Sequence, residues 1–132
     1  MNPVDAAQRW ARTWKDAWEA LDVDAVVALY AADVVFSSQP FRPPYRGVAG
    51  VAEYVGQAFG SEEHPVVRMS EPIVQGDRAS VSWWTALSED GDEATLAGTS
   101  VMRFDTGGLV IEQWDTWNLL PERSDPPGWS FF

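Results

Sequence analysis

The chain has 132 residues, 45% of them hydrophobic, with eight Trp, no Cys, and 20 acidic against nine basic side chains, for a net charge of -11. That length is enough for one domain with a real core, and without cysteine there can be no disulfide framework, thiolate nucleophile or zinc–thiolate site. A surface this acidic repels phosphate backbones and anionic bilayers, so neither nucleic acid nor membrane is an expected partner.

Met1-Asn2-Pro3-Val4-Asp5 shows no basic region followed by an apolar run, and no stretch approaches the ~20 apolar residues of a membrane span. A cytoplasmic location is the expectation. Asn2-Pro3 reads as the N-cap and first residue of a helix. Trp10, Trp14, Ala17, Trp18 and Leu21 then share one helical face, with Arg9, Arg12, Lys15, Asp16 and Glu19 toward solvent. Asp22 can cap a short second helix running from Val23 to Tyr30. The period changes at Val34-Val35-Phe36-Ser37-Ser38, which reads as a strand, and Asp33 before it reads as a turn or capping residue.

Residues 39–47 hold three prolines and form a stiffened loop. Its Arg42 and Arg46 could orient a carboxylate ligand or pair with a surface acid. Val48, Val51, Tyr54, Val55, Ala58 and Phe59 make the apolar face of a third helix. Gly60 is placed to end that helix, and Gly50 and Gly56 suggest close packing. Four β segments follow: Val66 to Val74, interrupted by Pro72; Arg78 to Leu87; Thr95 to Phe104; and Gly108 to Asn118. The acidic tip Glu89-Asp90-Gly91-Asp92-Glu93 lacks calcium-loop spacing and reads as a solvated hairpin turn. The tail from Pro121 to Phe132 is apolar enough to fold back on the body or onto a partner subunit. The whole chain, 1–132, reads as one domain.

The last strand holds Asp115 between Trp114 and Trp117. Period 2 puts Gln113, Asp115 and Trp117 on one face and Val110, Glu112 and Trp114 on the other. A tight hairpin would send Val110 inward. Val110 and Asp115 can both face inward only if a bulge intervenes near residues 111–113; without it, Glu112 would be the inward carboxylate. His64 is the sole histidine, so no metal triad of two His plus a carboxylate can form within the chain. There is no nucleophile elbow and no phosphate-binding loop. No metal and no cofactor is expected.

Three helices, a short strand between the second and third, and four antiparallel strands ending in Trp-Asp define an α+β design. The order, with Asp22 to Phe36, Tyr45 to Val51, Val101 to Asp105 and Gly108 to Asn118, resembles the nuclear transport factor 2-like superfamily, in particular its SnoaL-like bacterial members. The resemblance implies a cone: a strongly curved antiparallel sheet wrapped around three N-terminal helices, with an internal pocket. It also implies a homodimer through the convex sheet face. Members include polyketide cyclases, limonene-type epoxide hydrolases, steroid isomerases and dehydratases. In such enzymes the last strand carries a pocket carboxylate in a run like Trp-Arg-Asp-Tyr-Phe-Asp. Laid on this chain, Asp115 matches the first aspartate, Gln113 the Trp before it and Trp117 the Phe, while Asn118 replaces the last Asp. The implied lining is Trp14, Trp18, Tyr30, Phe36, Tyr54, Phe59, Trp83, Met102, Gln113 and Trp117, with Trp83 and Trp84 competing for the inward face of their strand. Tyr30 and Tyr54 are possible oxyanion donors. The strand from Ser80 to Leu87 lacks the Arg and second Asp of the epoxide hydrolases, which argues against that activity.

Two readings follow. In one, a cone-fold protein binds a small apolar or aromatic molecule and performs cofactor-free acid/base chemistry with Asp115, of isomerase, cyclase or dehydratase type. In the other, the chain is a non-catalytic ligand-binding or dimerisation module. If Asp115 is buried with few partners, the first reading gains; if Trp or Arg donors saturate it, the second does.

Overall fold

In the computed structural model, which describes residues 1–128 and 131–132, the order is α1 (Pro3–Ala20), α2 (Val23–Val27), β1 (Tyr30–Ser37), β2 (Tyr45–Arg46), α3 (Gly47–Ser61), β3 (Glu62–Met69), β4 (Ile73–Gln75), β5 (Arg78–Glu89), β6 (Asp92–Phe104) and β7 (Val110–Leu120). The strands form one curved sheet in the order β2-β1-β7-β6-β5-β3, with β4 also paired to β5. The helices lie against its inner face. The fold is the expected α+β cone, with one difference from an all-antiparallel sheet: β1 and β7 run parallel. The long excursion from β1 through α3 to the hairpin strands makes that pairing possible, since parallel neighbours need a long connection.

Helix α1 starts where expected. The Asn2 side chain accepts a hydrogen bond from the Asp5 N–H at 2.9 Å, and Pro3 occupies the first turn. Its apolar stripe buries Ala6, Ala7, Trp10, Trp14, Ala17 and Trp18 against the sheet. Full burial of one large apolar side chain is worth roughly 1.5–3 kcal/mol, so this stripe is a principal anchor of the helix. Asp22 caps α2, accepting from the Ala25 N–H at 3.1 Å.

Four local expectations change. The second helix stops at Val27, and β1 begins at Tyr30, so Asp33 is an exposed strand residue and not a cap. Tyr45 and Arg46 leave the proline loop to pair with β1 as a short strand. Helix α3 runs through Gly60 to Ser61: Gly60 is exposed, a Cβ there would meet nothing, and β3 follows at once. Gly50 does pack closely, with a Cβ position 3.3 Å from Tyr45, but Gly56 has open space.

The close approach that matters lies in the sheet. Gly98 faces Trp117 across β6 and β7, and a Cβ on Gly98 would sit 2.6 Å from the Trp117 Cβ and 2.9 Å from its Cα. Glycine lets the strand curve there without collision. The tail folds back on the body. The Ser124 N–H donates to Thr95 Oγ1 at 2.9 Å, Trp84 Nε1 donates to the Ser124 carbonyl at 2.8 Å, and Met69 and Phe132 exchange backbone bonds of 2.8 and 2.7 Å. Trp129 and Ser130 of that tail lie outside the described residues.

Candidate functional site

Between the helices and the sheet lies a cavity of about 380 Å³. Helix α1 contributes Trp10, Trp14 and Trp18, and α3 contributes Tyr54, Val55, Ala58 and Phe59. The sheet supplies Glu62, Met69, Trp83, Ser100, Gln113, Asp115 and Trp117, and Arg42 and Tyr45 come from the proline loop and its end. Its closed end is made by the deeply buried Trp10, Met69 and Gln113, and its rim by the exposed Arg42, Glu89 and Leu119. The aromatic wall is continuous: Trp14 and Trp18 have ring centroids 6.0 Å apart, Trp18 meets Trp83 edge-on at 5.5 Å, and Trp18 stacks on Phe59 at 6.4 Å.

Asp115 reaches this cavity because of a bulge. Phe104 pairs with Val110, but Arg103 pairs with Glu112, so Ile111 is an extra residue in β7. The insertion reverses strand parity, and Val110, Gln113 and Asp115 all turn inward. Glu112 turns outward and pairs with Arg103 at 3.6 Å.

The closed end is a directed hydrogen-bond network. Trp14 Nε1 donates to the Tyr30 hydroxyl at 3.0 Å, and that hydroxyl donates to Gln113 Oε1 at 2.6 Å. Trp10 Nε1 donates to the same oxygen at 3.0 Å. An indole N–H can only donate, so the Gln113 carbonyl must face the tryptophans and its amide must face Asp115. Gln113 Nε2 donates to Asp115 Oδ1 at 3.0 Å. From β5, Trp83 Nε1 donates at 3.0 Å to Ser100 Oγ on the intervening β6, leaving the Ser100 proton for Asp115, its cross-strand partner.

Asp115 is 7% exposed. Burial pushes its carboxyl up to about 7, against the smaller opposing pull of hydrogen bonds from Ser100 and Gln113. No ion pair among the described residues involves it. The Tyr30 and Tyr54 hydroxyls are pushed well above their usual range, first by burial and then by the Asp115 charge, so both stay protonated donors.

A second carboxyl enters from α3 and β3. Glu62 is 8% exposed, lines the cavity, and accepts from Trp18 Nε1 at 2.6 Å. Burial raises it to about 7, with the Trp18 bond opposing and the nearby Glu89 charge adding to the rise.

Of the residues named from sequence, the cavity brings together Asp115, Trp14, Trp18, Tyr54, Phe59, Trp83, Gln113 and Trp117. Trp83 takes the inward face of β5, while Trp84 points to the tail. Tyr30, Phe36 and Met102 do not line the cavity. They are packed behind it, with Phe36 and Met102 fully buried in the core and the Tyr30 hydroxyl committed to Gln113. Tyr30 is therefore not available as an oxyanion donor; Tyr54 remains at the wall. His64 is exposed at φ 52, at the irregularity between Glu63 and Val66, and does not line the cavity. Among the described residues no cluster of His, Cys, Asp or Glu is placed to hold a metal ion, and no helix is long and apolar enough to cross a membrane.

Sequence reasoning missed Glu62 and Ser100. Glu62 continues the Val51, Val55 and Phe59 stripe of α3 by one more step, and a carboxylate on an apolar stripe is a detectable signal. Ser100 sits in phase with the buried Met102 and Phe104.

A curved sheet around three helices, enclosing an aromatic cavity with two buried carboxyls, defines an α+β cone. A family model described as SnoaL-like domain matches residues 11–113, and the chain belongs to that family, within the nuclear transport factor 2-like superfamily. The solved structure of RV0760c from Mycobacterium tuberculosis is similar, with 17% identity, 87% of this chain and 95% of that chain covered, and a TM-score of 0.74. SalBIII, described as an epoxide hydrolase/cyclase-like enzyme in pyran ring formation in the polyether salinomycin, aligns at 12% identity over 86% and 91% of the two chains, with a TM-score of 0.75. A hypothetical protein with a ketosteroid isomerase-like fold from Catenulispora acidiphila DSM 44928, solved with trimethylamine, aligns at 16% identity over 79% and 81%, with a TM-score of 0.69. At these identities the three establish the fold alone. No curated protein matches the chain.

Proposed function

We propose that the cavity binds a small apolar or aromatic molecule and that Asp115 moves a proton on it without a cofactor, in a reaction of isomerase, cyclase or dehydratase type. The observation that carries this reading is Asp115 itself: a cavity carboxyl, buried without a cationic partner and raised to about 7. A carboxyl near neutrality exchanges protons in both directions at physiological pH, which is what a proton shuttle requires. Its rotamer is fixed by Gln113 and Ser100, and each of those is held by an indole N–H. In the forward step the ionised Asp115 takes a proton from a carbon next to a carbonyl. The Tyr54 hydroxyl, facing the same cavity from α3 and with no hydrogen-bond partner among the described residues, can donate to the developing oxyanion. Returning the proton at a second carbon completes an isomerisation; attack of the carbanion on an internal electrophile completes a cyclisation. The description of SalBIII as a cyclase-like enzyme is consistent with such chemistry on this fold.

A generic substrate tests the proton-transfer step without knowledge of the natural one. With 5-nitrobenzisoxazole, a base removes the ring C–H proton, the N–O bond breaks and a coloured cyanophenolate is released. The rate is expected to rise with pH through about 7 as Asp115 ionises. In Asp115→Asn it should fall by about 10²–10⁴-fold. Equal rates in the variant and the parent would remove Asp115 from the chemistry and leave the non-catalytic ligand-binding or dimerisation module as the better reading.

A further inference from the structure

The cavity carries a charge pattern that proton transfer at Asp115 does not use. Glu62, Glu89 and Asp115 line it, against a single cationic side chain, Arg42, at the exposed rim. The ion pairs among the described residues are Lys15–Glu19, Arg68–Glu19 and Arg103–Glu112, and none involves a cavity acid. Glu62 also stands directly opposite Glu89 in the β3–β5 register. Like charges facing across a strand pair are destabilising, and no ion pair among the described residues relieves them.

The walls around Glu62 are rings. Trp18, which donates to its carboxyl, stacks on Phe59 at an interplanar angle of 22° and meets both Trp14 and Trp83 edge-on. Aromatic faces are electronegative, and a carboxylate set among them adds full counter-charge. An anionic ligand would meet three acids there. A neutral apolar ligand would gain from the rings but leave Glu62 facing Glu89 without a counter-charge. A cation carrying apolar groups satisfies both halves of the site.

We propose that the Glu62 end of this cavity binds the ammonium group of an organic amine or quaternary ammonium compound, whose apolar body lies among Trp14, Trp18, Phe59 and Trp83. The inference rests on the reading of the cavity as a small-molecule site and names the class of molecule it takes. The net charge of -11 favours approach of such cations over anions. The titratable and charged groups that act on Glu62 or share its cavity are Glu89 from β5, Tyr54 from α3, Tyr45 from β2, Asp115 from β7 and Arg42 from the proline loop.

The test uses two ligands of one shape, phenyltrimethylammonium and its uncharged isostere tert-butylbenzene, titrated against the intrinsic tryptophan fluorescence of the full chain. The cation is expected to bind at least about tenfold more tightly than the isostere at about pH 8. Its affinity should climb about tenfold from about pH 6 to about pH 8, because the Glu62 carboxyl titrates at about 7 and the cation binds its ionised form. The isostere should show no such climb. Glu62→Gln keeps an acceptor for Trp18, and it should weaken the cation about tenfold while leaving the isostere within about twofold. Isostere binding as tight as that of the cation, or cation binding unmoved by both pH and Glu62→Gln, overturns the amine assignment and leaves the small-molecule reading standing. Failure of both ligands to bind overturns the two together. The ligand pair and its pH dependence need no variant, so the outcome does not hinge on the folding of Glu62→Gln.

Discussion

Asp115 and Glu62 are two carboxyls on one cavity, and burial lifts both to about 7, yet they are held in opposite ways. At the closed end Asp115 receives neutral donors, Gln113 and Ser100, each of which takes an indole N–H on its own oxygen. Elsewhere on the wall Glu62, equally buried, receives one indole directly and faces the carboxylate of Glu89 at the rim. The closed end is a satisfied polar network inside an apolar shell, the kind of arrangement that fixes a side chain in a single pose. The Glu62 end is electrostatically incomplete. The contrast separates a group positioned for proton transfer from a group waiting for a counter-charge, and the tryptophans turn out to act as donors as well as walls.

The largest effect is expected from breaking the closed end at its hub. Gln113→Leu leaves the Trp10 indole and the Tyr30 hydroxyl without their acceptor and Asp115 without one donor. The penalty for stranding such groups is roughly 3–5 kcal/mol in total, seen as a fall in the urea midpoint. Trp18→Phe at the Glu62 end strips one bond from Glu62 and should cost roughly 1–2 kcal/mol. A Gln113→Leu protein no less stable than Trp18→Phe would show that the network is not the stronger of the two ends.

Next in size is the pH dependence of stability. Both carboxyls have folded values above their ordinary ones of 3.8 for Asp115 and 4.5 for Glu62. The native state therefore binds these protons more tightly than the unfolded state. Their contribution is fully present below about 4 and is lost as pH rises through about 7. Replacing Asp115 by Asn removes the buried charge, so Asp115→Asn should be more stable than the parent by roughly 2–4 kcal/mol at about pH 8, with the gap closing toward about pH 4. Glu62→Gln should show the same trend at a smaller size. The substitution expected to abolish proton transfer is thus expected to strengthen the fold, which separates loss of chemistry from loss of structure. A gap that does not change with pH would mean that Asp115 is not titrating in this range.

How much of this was legible in the sequence depends on the range of the cause. Helix α1 could be read from Asn2-Pro3 and the tryptophan spacing, because capping and periodicity are local. The order of elements implied the cone, and the parity conflict between Val110 and Asp115 called for a bulge, found at Ile111. The site was legible in Asp115 on the last strand and in the aromatic wall of Trp14, Trp18, Tyr54, Phe59 and Trp83. Glu62 was hidden because Gly60 looks like a helix stop, and only the direct entry of α3 into β3 carries Glu62 to the cavity. Gln113 could be matched to a position but not to a role, since its amide is oriented by Trp10 and Tyr30, 103 and 83 residues away in sequence. Tyr30, Phe36 and Met102 were expected at the wall because the resemblance implies inward-facing apolar residues but does not distinguish a cavity surface from the packed layer behind it.

The smallest and sharpest test separates the two donors of Asp115. Ser100→Ala removes a hydrogen bond that favours the ionised carboxylate, so the Asp115 carboxyl should titrate higher than in the parent by roughly half to one pH unit. Trp83→Phe leaves the Ser100 hydroxyl in place and removes only the indole that orients it, so its shift should be smaller and in the same direction. Carboxyl carbon NMR reads these values directly and needs no substrate. The corresponding variant at the Glu62 end, Trp18→Phe, should raise Glu62 and leave Asp115 where it was, because Trp18 donates to Glu62 and to no part of the Gln113 network. If Ser100→Ala moved both carboxyls together, the two ends of the cavity would be one coupled titrating system, and the division between a positioned proton carrier and an open cation site would fail.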